Sequence, residues 1–498
     1  MSGLLAGLGV LAASAAGAGA ILLPPRRLRA AAMLTAAILV PLLILGDQWH
    51  SAPIVDLRHD PARLVAISAV AIAAAAALAS TFHRWPFLLP LAIVAALPFR
   101  VPLEAGGETA NLLVPLYLVI AGGVIARAVH DLYGSGARPD QSARPPAPTT
   151  GPARWLPWAL AAVVVLYGAQ TLYSADFSKG LQNACFFFVP FSLAYGLLRD
   201  VRWDRRLLRA ALAVVIAESV AFVVVGTVEY LSQSLFWNDQ VMRSNEFHTY
   251  FRVNSVFWDP NIYGRYLALA ITLVTAALLW ARDRRTVALL AGLIAVLWLG
   301  LVPTFSQSSF AALLAGLAVL AALRWSLRWT LAAVGVGAFL GIAIVLFAGG
   351  ASKLTPDRCN VDTGGRCNLV SGGARLFGQR PIWGYGSGAF PHAYREHVAA
   401  GGEAPVSVSH TEPITVAAEQ GLIGLAAYAV LIGVALWTMS SGLISARAGP
   451  ERPAILAAFV ALLVHTMAYA GFYEDPITWV LLALGVSLAA APAVRSPT

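Results

Sequence analysis

The chain is a succession of apolar runs, most about 17–22 residues long, separated by short polar breaks. A helix rises 1.5 Å per residue, so about 20 apolar residues match the ~30 Å hydrocarbon core of a bilayer. Runs stand at about 4–23, 30–46, 64–81, 85–99, 111–128, 156–174, 184–198, 208–232, 263–281, 286–302, 307–323, 329–348, 412–437, 453–472 and 476–492. Only 12% of the residues are charged, against about 25% in soluble domains, and mean hydropathy is +0.71. A membrane barrel would instead show segments of about ten residues alternating in polarity, which the sequence lacks. The expected fold class is an all-α polytopic membrane protein with about 12–15 transmembrane helices, short runs such as 85–99 being re-entrant candidates.

The first run has no basic segment before it and is followed by Pro24, Pro25, Arg26 and Arg27, which fits a span or interfacial helix rather than a signal peptide. Net charge is +9, and Lys179 and Lys353 are the only lysines. The arginines cluster at Arg26–Arg29, Arg138–Arg154, Arg199–Arg209, Arg282–Arg285, Arg324–Arg328 and Arg447–Arg452, which alternation of spans puts on one side. Cationic residues collect on the cytoplasmic side of spans, so this excess speaks for topology and not for nucleic acid. The expected organisation is N-terminal helices over 1–130, a cytoplasmic Pro/Arg-rich linker over 131–155, and central helices over 156–348 with an outer loop at 233–262. A large extracytoplasmic loop follows over 349–411, then C-terminal helices over 412–498.

That large loop is the longest polar interval, and a loop of this length inside a compact protein is usually functional. It holds Cys359 and Cys367, a candidate disulfide if the loop lies outside the cell, while Cys185 sits in an apolar run. Arg375 and Arg380 are candidate phosphate ligands, because guanidinium stays charged and binds oxygens in pairs. Gly384, Tyr385, Gly386, Ser387 and Gly388 form a glycine-rich turn. His410, at the boundary of a span, is a residue that titrates near neutral pH. Glu419 lies within the next apolar run, where a carboxylate is a functional candidate. Glu412 and Glu474 are further acidic groups at span ends. Upstream, Arg252 precedes Asp259-Pro260-Asn261, a helix-start signal, and Arg265 falls in the first turns of that span, where it must be paired or solvated. Ser306 belongs to a polar bend, TFSQSS, between two spans. No metal-ligand spacing and no phosphate-binding loop of the nucleotide type is present, so neither metal nor cofactor is expected.

At these residues the sequence resembles the O-antigen ligase and O-antigen polymerase superfamily of bacterial membrane glycosyltransferases. His410-Thr411, nine residues and then Gly421-Leu-Ile-Gly424 resemble the ligase pattern of His, an amide or serine residue, nine residues and Gly-x-x-Gly, with threonine replacing the second residue. Arg252 through Asn261 resembles the family's Arg…Pro-Asn stretch, Arg375 its loop arginine, and Pro381 through Gly386 its Pro-x-x-Gly-x-Gly turn. TFSQSS resembles a Ser-Arg span start but lacks the arginine. The resemblance covers about 230–490 and implies a GT-C-like, inverting, metal-independent enzyme in the cytoplasmic membrane, with its active site on the extracytoplasmic face. Its donor would be a glycan on undecaprenyl diphosphate and its acceptor a sugar hydroxyl on a lipid or lipid-linked glycan. His410 would be the base or a phosphate ligand, and Glu419 would support it. Arg252, Arg375, Arg265 and Arg380 would hold the diphosphate, with Asp259, Asn261, Ser306, Tyr385, Glu412 and Glu474 in support. Arg366, on the same loop outside the matched motif, is expected to matter little. The alternative class, a transporter or flippase of a lipid-linked or anionic substrate, calls for ionisable residues along mid-span positions and paired inverted repeats; the charges here gather at outer span ends.

Overall fold

The structure, a computed structural model, describes all residues except 1–2, 25, 106–107, 134–150, 247–249, 333, 337–365, 400–407, 444–448 and 491–498. It is a helical membrane bundle. Eleven helices among the described residues are long and apolar enough to cross a bilayer. Four of the runs marked in the sequence fall outside that number. The 85–99 run yields only Leu88–Ala96, nine residues, which covers about 14 Å. Much of 329–348 lies outside the described residues. The last two runs give Glu451–Thr466 and Pro476–Ala490, of 16 and 15 residues, both buried along most of their length. One antiparallel hairpin, Val101–Ala105 paired with Glu108–Leu112, stands where no strand was expected. Most of the proposed 131–155 linker also lies outside the described residues.

Helix starts follow local chemistry. The side chains of Asp60, Asp204, Asp259, Asp283 and Ser306 each accept a hydrogen bond from a backbone N–H in the first turn of the helix they precede, satisfying donors that have no partner within the helix. Helices Pro61–Arg84 and Arg284–Leu301 turn large apolar side chains such as Ile72 and Leu289 outward, where lipid rather than water receives them. Pro260–Trp280 is buried along most of its length and packs against Arg284–Leu301, Gln307–Arg324 and Glu451–Thr466. At one end of the bundle, Asp200 gathers Arg29 at 2.5 Å and Arg127 at 3.1 Å. The starts of Pro260–Trp280, Gln307–Arg324 and Glu412–Ser440 meet at the opposite end.

The described part of the polar interval 349–411 is folded onto the bundle. It contains helices Arg366–Gln379 and Phe390–His397, joined by a turn that docks on the bundle. The docking point is a break in helix Glu412–Ser440, where Gly421 adopts φ 65° and ψ −161°, a conformation essentially reserved for glycine. Backbone groups on both sides of the break find partners outside the helix. The carbonyls of Ala418 and Glu419 accept from Tyr385 and Gly386 N–H at 3.1 and 2.7 Å, and Leu422 N–H donates to Pro381 O at 2.7 Å. Gln170 Nε2 donates to the carbonyl of Gln420 at 3.1 Å. Two backbones approach so closely that a Cβ on Gly421 would lie 2.3 Å from Ile382 O, and one on Gly384 2.3 Å from Glu419 O. Gly421 therefore serves as a seat for the turn rather than as a helix-packing glycine.

Candidate functional site

Asp259 organises the polar end of the bundle. Its Oδ1 caps Asn261 N–H at 2.6 Å, and its Oδ2 accepts from the Tyr469 hydroxyl at 3.2 Å. Asn261 is buried, and its Oδ1 accepts from Arg252 Nη2 at 3.3 Å and from Ser306 Oγ at 2.9 Å. Arg252 Nε also donates to Thr304 O at 2.9 Å, so two anchors fix the guanidinium plane. Ser306 continues the chain of hydroxyls through Ser308, at 3.1 Å, to Nε2 of the fully buried His465, 3.2 Å further on. Thus Arg252, Asp259, Asn261 and Ser306, all expected from the sequence, are joined in one network.

His410 stands at its edge, its ring 6.2 Å from that of Tyr469. The residue has φ 61°, a left-handed conformation costing about 1–2 kcal/mol for a side chain with a Cβ. Local bonds hold it there: Ser409 Oγ donates to Thr411 O at 2.8 Å, and Thr411 Oγ1 donates to Met467 O at 3.1 Å. Burial, and next the positive charge of Arg366, hold the imidazole below its ordinary titration range, while Asp259 opposes them. Burial likewise lowers the Arg252 guanidinium pKa, with Asp259 opposing and Arg366 adding to the shift. An arginine stays charged through such a change.

Arg366 is therefore the loop arginine whose field reaches both Arg252 and His410. It is half-buried at the start of helix Arg366–Gln379, beside the disulfide-bonded Cys367. Cys359, its candidate partner, lies outside the described residues. The place of Arg366 outside the matched motif did not announce this nearness to Arg252 and His410. Arg375, by contrast, is exposed on that helix and makes no hydrogen bond or ion pair among the described residues. Arg380 is exposed and lies 4.5 Å over the ring of Tyr385, whose hydroxyl donates to Gln379 Oε1 at 2.6 Å. Arg265 is engaged with Asp475, Nη2 to Oδ2 2.9 Å, both side chains about nineteen-twentieths buried.

Two carboxylates act on backbone. Glu419 Oε2 accepts from Gly388 N–H at 2.9 Å and Oε1 from Phe390 N–H at 3.1 Å. That ties the glycine turn to the broken helix and gives a partner to an N–H at the start of Phe390–His397 that has none within the helix. Glu412 Oε2 accepts from Gly471 and Phe472 N–H at 2.7 and 3.0 Å, fixing the connection that carries Tyr469 and Asp475. Glu474 is exposed. His465 and Tyr469 were not singled out in the sequence. A buried ionisable residue within an apolar run is the same signal that marked Glu419, so His465 was open to that rule; Tyr469 carries no local signal. Among the described residues no group of three or more His, Cys, Asp or Glu is placed to hold a metal ion.

Fold and site together define a polytopic helical membrane protein with a cationic, histidine-bearing polar site at one end. Residues 292–429 match the protein-family model described as O-Antigen ligase, which supports the resemblance to the O-antigen ligase and polymerase superfamily over that segment. The matched segment includes Ser306, Arg366, the glycine turn, His410 and Gly421, while Arg252, Asp259 and Tyr469 flank it. No curated protein matches the chain.

Proposed function

We propose that the protein transfers a glycan from undecaprenyl diphosphate to an acceptor hydroxyl on the outer face of the cytoplasmic membrane, as a surface-polysaccharide ligase or polymerase. The observation that carries this reading is that Arg252 is fixed in a half-buried polar network with His410 at its edge, and that the charge of Arg366, from a third segment, acts on both. Arg252 and Arg366 bind the diphosphate, and their fixed charges take up the negative charge that develops on it as the sugar–phosphate bond breaks. His410, held neutral by burial and by Arg366, accepts the proton of the acceptor hydroxyl as its oxygen attacks the anomeric carbon. One base and one leaving group on opposite sides of that carbon give a single displacement with inversion. Cationic side chains supply the charge that a metal ion would otherwise provide. Glu419 acts through the turn it holds and is a positioning residue.

The pH–rate profile tests the base. Activity requires neutral His410, so the acid limb follows its titration. Removing the charge of Arg366 takes away one cause of the lowering, so Arg366→Ala moves the acid limb toward higher pH, and His410→Ala abolishes it. An acid limb at the same pH in Arg366→Ala, or one retained in His410→Ala, contradicts the assignment.

A further inference from the structure

Helices Glu412–Ser440 and Glu451–Thr466 do not close against each other along their length. Between them runs a groove of about 570 Å3, lined almost wholly by apolar side chains. Ala429 and Gly433 form one wall and Leu463, Val464 and Met467 the other, with Pro413 at the mouth. From Leu425 to Gly433 the wall follows about 12 Å of helix. The groove exists because its wall is small: a Cβ added at Gly433 would meet nothing within 4 Å. The mouth adjoins the polar site, since Pro413 is three residues beyond His410 and Met467 two before Tyr469. The hydrogen bond from Thr411 Oγ1 to Met467 O, 3.1 Å, joins the two strands of chain there. Cations at one end and an apolar trough leading away from them are complementary to an amphiphile with an anionic head and a long hydrocarbon chain.

We infer that this groove receives the first stretch of the hydrocarbon chain of the lipid diphosphate whose head is held by Arg252 and Arg366. The inference rests on the transfer reading for the identity of the head. Within a bilayer there is no water to expel, so the groove selects a chain by close packing rather than by the hydrophobic effect. A side chain that fills the trough removes that packing without disturbing the protein, because the space at Gly433 is open. Val430, exposed on the same helix outside the groove lining, provides the control position.

The test measures binding of a long-chain and a short-chain polyisoprenyl diphosphate to the full-length protein, wild type, Gly433→Leu and Val430→Leu, in bilayer discs of fixed lipid composition. The wild type binds the long chain more tightly. Gly433→Leu weakens the long chain about tenfold, or 1.4 kcal/mol, leaves the short chain unchanged and does not lower the thermal stability; Val430→Leu changes neither ligand. Equal affinity for the two chains in the wild type, or an unaltered long-chain affinity in Gly433→Leu, means that ordinary bilayer lipid fills the groove, and the inference falls. Turnover of a glycan-loaded long-chain diphosphate on the same samples reads the transfer step separately. Chain-length-dependent binding without turnover in the wild type rejects glycan transfer and upholds the groove.

Discussion

Replacing Gly421 with alanine isolates the docking of the glycine turn from all other features of the bundle. The native φ of 65° with ψ −161° costs a residue with a Cβ about 1–3 kcal/mol. The added methyl would also lie 2.3 Å from Ile382 O and 2.5 Å from its carbonyl carbon, so backbone must separate. Separation breaks the bonds from Leu422 to Pro381 and from Tyr385 and Gly386 to Ala418 and Glu419. Buried backbone groups left unpaired cost about 1–3 kcal/mol each. Even one such loss added to the strain gives about 2–6 kcal/mol, among the largest effects of a single substitution. Gly433→Ala, on the same helix with open space at its Cβ, is neutral or stabilising by up to about 1 kcal/mol. Thermal unfolding in detergent, with limited proteolysis across residues 375–395, reads both. Gly421→Ala lowers the midpoint and exposes the turn, and Gly433→Ala does neither. A Gly421→Ala protein with wild-type midpoint and wild-type protection of the turn refutes the reasoning.

Glu419→Gln leaves one of the Gly388 and Phe390 donors facing an amide N–H rather than an oxygen, which destabilises the turn by about 1–3 kcal/mol; hydrogen exchange at residues 384–390 rises, and unaltered exchange contradicts the clamp. Asp475→Ala strands the buried guanidinium of Arg265 and costs about 3–5 kcal/mol, whereas Arg265→Leu with Asp475→Leu is closer to wild type than either single change; additive losses in unfolding experiments contradict the pairing.

Much of this architecture is written in composition. Runs of about 20 apolar residues become membrane helices because the bilayer leaves few other structures with satisfied backbone, and Asp259-Pro260-Asn261 starts a helix as its capping chemistry dictates. The network around Arg252 was legible for the same reason: polar residues at span ends have few places to go. Other features were hidden by long-range geometry. The sequence 412–440 reads as one uninterrupted span, and nothing in it announces that Gly421 breaks the helix to seat residues 381–386. Arg366 and Arg375 look alike on one loop; their separation into a half-buried residue near His410 and an exposed one depends on where helix Arg366–Gln379 begins and on how it packs against helix Glu412–Ser440. Arg265 announced itself as a charge needing a partner, and Asp475 turned out to be that partner rather than a ligand.

The central claim is that Arg252 and Arg366 act on one diphosphate beside His410. It is met most directly by the turnover of a lipid-diphosphate-linked glycan in Arg252→Ala, Arg366→Ala, the double variant and Arg375→Ala. Removing one partner of a buried charge-assisted contact costs about 2–5 kcal/mol, and each 1.4 kcal/mol is tenfold. Each single variant therefore loses about 30-fold or more in kcat/KM, and the double loses less than the product of the two, because both groups act on one ligand. Lysine at either position recovers part of the loss, keeping the charge without the paired hydrogen bonds, and Arg375→Ala stays near wild type. Wild-type turnover in Arg252→Ala or Arg366→Ala, or an equal loss in Arg375→Ala, would contradict the shared site and leave a diffuse positive surface in its place.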